Sequence, residues 1–198
     1  MLYIHKPGLD LLIFPNKCAS SWAEHKVVVG EYKIDTAAAV ELAKHTAVTI
    51  VIRDPVSWYV SGWRWWKHNH PEYPKNFETH LRLCLVWKTR YDTGKYIPNQ
   101  FDTHTWAAPG LILHKEILPS KIIKLENTKL LYSTTQQYKD EPIDTEISNA
   151  SDHVKINQVS KPKLTPLSIL RIKQLYNDEY FFDQYNLDDS IQRYINTV

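Results

Sequence analysis

Apolar residues along this chain gather in short unbroken runs, and between the runs they fall at helical spacing. Leu11–Phe14, Val27–Tyr32, Val48–Ile52 and Lys121–Leu125 are the runs, rich in β-branched residues and too short for stable helices. Such runs predict strands, and the wholly apolar ones predict strands buried on both faces. Helical patterns fill the intervals. Ser20–His25 reads as the first turns of one helix, and Thr36–His45 as a second with Thr36 as its cap and a basic last turn. Pro55 stands at the first position of a helix reaching Lys67. Further helices are expected over Phe77–Thr89 and Lys129–Tyr138, and from the cap-then-proline pair Thr165-Pro166 to Tyr176. Strand alternating with helix predicts one α/β domain over residues 1–198, with a central parallel sheet, right-handed crossovers and flanking helices. His68–Pro74, Tyr91–Pro109 and Lys139–Asp152 are left as turn and loop.

Composition narrows the class. A charged fraction of 23% and an apolar fraction of 43% are those of an ordinary globular protein. The net charge of +2 is too small to give the general basic field that nucleic acid would favour, so any anion site must be local. No apolar run approaches the length that spans a bilayer, and Leu11–Phe14 lies too near Met1 for a preceding signal peptide to be expected. With two cysteines, Cys18 and Cys84, no disulfide framework is indicated. A cytoplasmic protein without a membrane span is the expectation.

The candidate chemistry sits where two strands end. After Leu11–Phe14 comes Pro15-Asn16-Lys17-Cys18-Ala19-Ser20-Ser21-Trp22, a tight loop with one lysine and two hydroxyls at the start of a helix. Backbone N–H groups at a helix start point at an anion, and Lys17 adds a full positive charge. An ATP-phosphate loop would carry glycines and a closing Gly-Lys-Ser/Thr; here the lysine comes early and there is no glycine between Pro15 and Trp22. After Val48–Ile52 comes Arg53-Asp54-Pro55, then Ser61-Gly62 within the predicted helix. Arg53 stands at the carboxyl end of a predicted central strand, where open α/β sheets bind ligands. Its guanidinium fork suits a phosphate, and pairing with a neighbouring carboxylate is the alternative.

Taken together, the two segments resemble the 5′-phosphosulfate loop and the 3′-phosphate motif of sulfotransferases that use 3′-phosphoadenosine 5′-phosphosulfate (PAPS), the carbohydrate sulfotransferases in particular. Ile122-Ile123-Lys124-Leu125-Glu126-Asn127, His153-Val154-Lys155-Ile156-Asn157 and Leu175–Tyr180 with Tyr185 are similar to later segments of that family. Ala19 departs from it, because relatives commonly carry glycine there.

The resemblance implies a P-loop-like sulfotransferase fold and in-line transfer of a sulfuryl group from PAPS to an acceptor hydroxyl, with adenosine 3′,5′-bisphosphate leaving and no metal required. Lys17 would neutralise the leaving oxygen. Residues Lys17, Cys18, Ala19, Ser20, Ser21 and Trp22 would surround the 5′-phosphosulfate, and Arg53 and Ser61 would hold the 3′-phosphate. The partners expected are this nucleotide donor and a glycan or other hydroxyl compound. For the general base, Glu31 at the end of the second predicted strand is the first choice and His104, in His104-Thr105-Trp106, the second. Four tryptophans lie between Trp58 and Trp66. Helical spacing pairs Trp58 with Trp65 and sets Trp63 and Trp66 apart, so one pair is expected in the core and the other could line an acceptor cleft. His68 and His70 lack a third ligand for a metal. The competing classes are a P-loop-like nucleotide kinase and a catalytically inactive glycan-binding relative.

Overall fold

In a computed structural model, which describes residues 1–27, 30–70, 72, 76–92, 117, 119–143, 159–176 and 184–198, the apolar runs become strands. In chain order the elements are β1 (Leu2–Ile4), β2 (Leu11–Phe14), α1 (Ser20–Lys26), a 3₁₀ turn (Gly30–Tyr32), β3 (Lys33–Ile34), α2 (Thr36–Leu42) and β4 (Val48–Ile52). There follow α3 (Pro55–Asn69), α4 (Phe77–Asp92), β5 (Lys121–Lys124), α5 (Thr128–Thr135), α6 (Pro166–Tyr176) and α7 (Leu187–Ile195). They fall into two compact units, Met1–Arg53 with Leu113–Ser148, and Asp54–Ile112 with Asn149–Val198.

The first unit holds a five-stranded sheet in the order β3-β1-β2-β4-β5. It is mixed, where a parallel sheet was expected. β2, β4 and β5 are parallel, with Ile13 opposite Ile50 and Ile50 opposite Ile122. β1 runs antiparallel to both β2 and β3. The cause lies in Lys6-Pro7-Gly8-Leu9. Leu9 N–H donates to Lys6 C=O at 3.0 Å, and Gly8 takes φ 86°. Proline then glycine at the centre of such a turn, with positive φ at the second, is the type II arrangement that reverses a chain. It folds Leu2-Tyr3-Ile4 back beside β2, and three residues are too few for periodicity to reveal.

Of the expected strand over Val27–Tyr32, the described residues form none. Val27 closes α1, its N–H donating to Ala23 C=O at 2.9 Å, and Gly30–Tyr32 makes one 3₁₀ turn before the short strand β3. Val27 is wholly buried in the core, and Val28 and Val29 lie outside the described residues. In α2 the cap is Asp35, which accepts from Ala38 N–H at 2.8 Å, rather than Thr36. On one sheet face Leu12, Phe14, Val51 and Ile123 share a core cluster with Trp22 and Ala23 of α1 and Leu131 of α5, and Leu11, Ile13, Ile50 and Ile52 on the other face are also wholly buried. Each such side chain, fully buried, contributes about 1.5–3 kcal/mol.

Among the described residues the second unit is helical. Asp54 caps α3, accepting from Ser57 N–H at 3.0 Å, and Pro55 occupies the first helical position. Arg193 of α7 reaches the same carboxylate at 3.2 Å. Thr165 caps α6 and also hydrogen-bonds Glu78 of α4, while Arg171 donates to Glu78 C=O at 2.5 Å. His80 of α4 is wholly buried, stacked on Phe77 and 3.6 Å from the Cys84 thiol. Burial lowers its pKa to about 3, so it packs as a neutral ring. Among the described residues no helix is long and apolar enough to cross a membrane.

Candidate anion-binding site

Parallel pairing of β2, β4 and β5 brings the carboxyl ends of three strands to one edge of the first unit. Phe14 leads there into the loop Pro15–Ala19, Ile52 into Arg53, and Lys124 into Leu125 and Glu126. Leu125 N–H donates to Ile52 C=O at 2.7 Å, which fixes the third of these ends beside the second. Arg53 closes the arrangement: its Nη1 donates to Lys17 C=O at 3.2 Å. One of the five guanidinium N–H groups is thus held by the loop backbone, and the half-buried fork is fixed beside it.

The loop itself is bent in an uncommon way. Cys18 N–H donates to Pro15 C=O at 3.0 Å, and Lys17 at the third turn position takes φ 68°. Ala19 then takes φ 62° and ψ 22° and starts α1 with no side-chain cap. A left-handed conformation costs a non-glycine residue roughly 1–2 kcal/mol, and two such residues flank Cys18. Backbone strain of this kind gathers at ligand clamps, and alternation of hand turns successive N–H groups toward one concave side. Ala19 has no side-chain oxygen with which to cap the first turn of α1. With only seven residues, α1 adds little dipole, so Lys17 and Arg53 supply most of the attraction for an anion.

Electrostatics agrees with a cationic site held partly out of water. Burial, and after it the Arg53 charge, lower the Lys17 ammonium to about 7. Cys18 is wholly buried, and burial pushes its thiol up to about 12. It therefore stays protonated, contributes backbone rather than a nucleophile, and anchors the loop to the core. Ser20 and Ser21, the first two residues of α1, are half-buried. Trp22 is 6% exposed, its ring against Phe14 and Tyr132 at 6.4 and 5.6 Å, so it is a core ring rather than an open stacking platform.

Ala19 takes φ 62°, a conformation that favours glycine. Its methyl packs against the core of the first unit, which offsets part of the conformational cost. Ala19→Gly is expected to leave the fold as stable or more stable by up to about 1 kcal/mol, the left-handed relief exceeding the lost contact and the freer unfolded chain. Urea unfolding measures this. A loss greater than about 1 kcal/mol would mean that the methyl contact outweighs the strain.

Glu31 is not brought to this edge. β1 runs antiparallel to β2 with Leu2 opposite Phe14 and Ile4 opposite Leu12, so the chain after Ile4 lies at the far end of β2. Tyr32 C=O accepts there from His5 N–H at 2.9 Å, and Glu31, exposed on its 3₁₀ turn, adds a small charge effect on Lys6, whose pKa is raised chiefly by its hydrogen bond to Asp140. The assignment of Glu31 to a strand end depended on the strand expected over Val27–Tyr32. The carboxylate that does lie on the loop's edge is Glu126, in the turn after β5, whose charge raises the Cys18 thiol. It could have been found from the sequence, since parallel neighbours end together. His104, the His153–Asn157 segment and residues Asn177–Tyr180 lie outside the described residues.

Ser61 belongs to the second unit, half-buried on the second turn of α3. Burial there cuts across the expected pairing of tryptophans. Trp58, Trp63 and Trp66 are 1%, 3% and 6% exposed, and Trp65 alone of the four is half-buried. Both α4 and α7 pack on α3, so it is covered on more than one side, and a single apolar stripe does not describe it.

No protein-family model matches the chain, and neither does any curated protein or solved structure.

Proposed function

We propose that this chain is a sulfotransferase that moves a sulfuryl group from PAPS to an acceptor hydroxyl, a carbohydrate being the first candidate. The observation that supports it most is the Lys17 loop, held by Arg53 across two parallel strand ends and bent by left-handed residues at 17 and 19. An anion bound there meets a lysine, a guanidinium and the first-turn N–H groups of α1. In the proposed reaction the acceptor oxygen attacks sulfur in line, and the bond from sulfur to the bridging phosphate oxygen breaks. The electron pair leaves on adenosine 3′,5′-bisphosphate, and Lys17 steadies that oxygen. Ser20, Ser21 and the loop backbone hold the 5′-phosphate. Arg53 holds the 3′-phosphate. The acceptor's proton passes to a base, for which His104 becomes the first candidate because Glu31 stands at the far end of β2.

Calorimetric titration with adenosine 3′,5′-bisphosphate against ATP tests the reading. The bisphosphate is expected to bind the more tightly; equal affinity for both, or binding of neither, sinks it. Arg53→Ala is expected to weaken the bisphosphate by about 1.5–3 kcal/mol, the range for a charged hydrogen bond, or roughly tenfold to 150-fold.

A further inference from the structure

Arg53 is followed along the chain by an acid, Asp54, and the obvious partner for its guanidinium is that carboxylate. The pairing is not made. Arg53 Nη1 donates to Lys17 C=O at 3.2 Å, and among the described residues no carboxylate is bonded to it. Asp54 is held by others. Its Oδ1 accepts from Ser57 N–H at 3.0 Å and its Oδ2 from Arg193 Nη2 at 3.2 Å. The same Arg193 nitrogen donates to Ser190 Oγ at 3.1 Å, so its own helix aims it. That helix is anchored within the second unit, where Tyr194 is 6% exposed and donates to Pro162 C=O at 2.9 Å. Asp54 itself is 7% exposed, and a carboxylate so far out of water needs a cation beside it. Arg193 supplies that cation, and Arg53 is spared.

We propose that Arg193 is a positioning residue for the anion site: by neutralising Asp54 it leaves the charge of Arg53 to the ligand. The proposal rests on the Lys17 loop being an anion site, as in the function above, and adds a residue on which the affinity of that site depends.

Covalent geometry alone links the two charges. Consecutive Cα atoms stand about 3.8 Å apart, so the charge of Asp54 is felt at Arg53. Charges that close act strongly on each other when partly out of water. With Arg193 in place, its charge and that of Asp54 sum to zero, and Arg53 counts in full. Without Arg193, an uncompensated carboxylate remains beside the guanidinium. It then offsets the Arg53 charge, or draws the fork from Lys17 C=O, and an anion at the loop is held less tightly. Asp54→Asn does the reverse, because the amide oxygen still caps α3 while Arg193 keeps its charge.

Calorimetric titration of the full chain with sodium sulfate at neutral pH reads the affinity. Arg193→Gln is expected to bind sulfate roughly tenfold more weakly than the natural chain, and Asp54→Asn more tightly. Arg193→Lys, which keeps the charge, is expected to bind within about threefold of the natural chain. Asp54→Asn and Arg193→Gln together restore neutrality, and the double variant is expected to return to within about threefold of the natural affinity. A merely structural Arg193 gives another pattern, in which losing both partners leaves the affinity no better than losing one. Arg193→Gln binding sulfate as the natural chain does, a double variant as weak as Arg193→Gln, or no saturable sulfate binding by the natural chain would overturn the proposal. Were Arg193→Gln not to fold, Asp54→Asn decides, and unchanged or weaker sulfate binding by it overturns the proposal. If the rescue is found with sulfate while adenosine 3′,5′-bisphosphate binds no better than ATP, Arg193 keeps this role and the sulfotransferase reading fails.

Discussion

Lys17→Met is expected to give a chain that folds more stably than the natural one at pH 6 and binds adenosine 3′,5′-bisphosphate roughly tenfold to 150-fold more weakly. The binding loss is that of one charged hydrogen bond, about 1.5–3 kcal/mol. The stability gain has a different origin. The folded chain draws the Lys17 ammonium partly out of water beside a second cation, and its pKa falls from 10.5 to about 7. Replacing a buried ion pair by apolar side chains of similar volume is often neutral or stabilising by about 1–4 kcal/mol, and removing a charge that burial disfavours acts in the same direction. The methionine keeps the backbone carbonyl that receives Arg53, so the loop's attachment to β4 survives.

The pH profile separates this from general tolerance. For a lysine with a lowered folded pKa, the unfolded chain binds more protons between about 7 and 10.5. The natural chain therefore gains stability as pH rises through that window, by at most about 1.4 kcal/mol per unit, and carries the full cost below pH 7. Lys17→Met has no such slope. Urea unfolding of both chains at pH 6 and pH 9.5 measures it, with the gap expected to narrow at the higher pH. A gap of constant size would show that Lys17 is not the destabilising group. Loss of binding with gain of stability is the pattern of a residue kept for ligand rather than fold.

What the sequence could reveal follows from how local each signal is. β4 and the first residue of α3 were legible to the residue, since Val48–Ile52 is an unbroken apolar run closed by Asp54-Pro55, a cap and a first-position proline. The thirteen-residue span from Leu2 to Phe14 was not, because β1 is three residues long and its evidence is the Pro7-Gly8 turn rather than any period. Missing β1 made the sheet look parallel throughout, while the strand expected over Val27–Tyr32 placed Glu31 on a strand edge. Lys17 and Arg53 were legible as a pair because both follow strands that run the same way. The left-handed residues in the loop, Lys17 and Ala19, carry no sequence mark, since neither is glycine. Arg193 at the α3 cap was hidden by 139 residues of separation.

The tryptophans of α3 offer the other large effect. Trp58→Ala is expected to destabilise the chain by about 3–5 kcal/mol, as for a large aromatic removed from a packed interior. Trp58 is 1% exposed, with its ring 5.1 Å from Tyr59, and packing of this density leaves a cavity that neighbours fill only in part. Trp65→Ala differs although the residue lies seven positions away on the same helical face. Its ring meets Trp66 edge-on at 4.9 Å and His70 at 6.2 Å, and part of it already lies in water, so a smaller loss of about 1–3 kcal/mol is expected from two such contacts. Thermal unfolding of the two variants measures the contrast. Were both to unfold alike, burial would not be what distinguishes the two rings. Should Trp65→Ala keep the stability of the natural chain and lose acceptor binding, Trp65 would be the ring of the four left to stack on an acceptor, a role that a half-buried indole can fill and a buried one cannot.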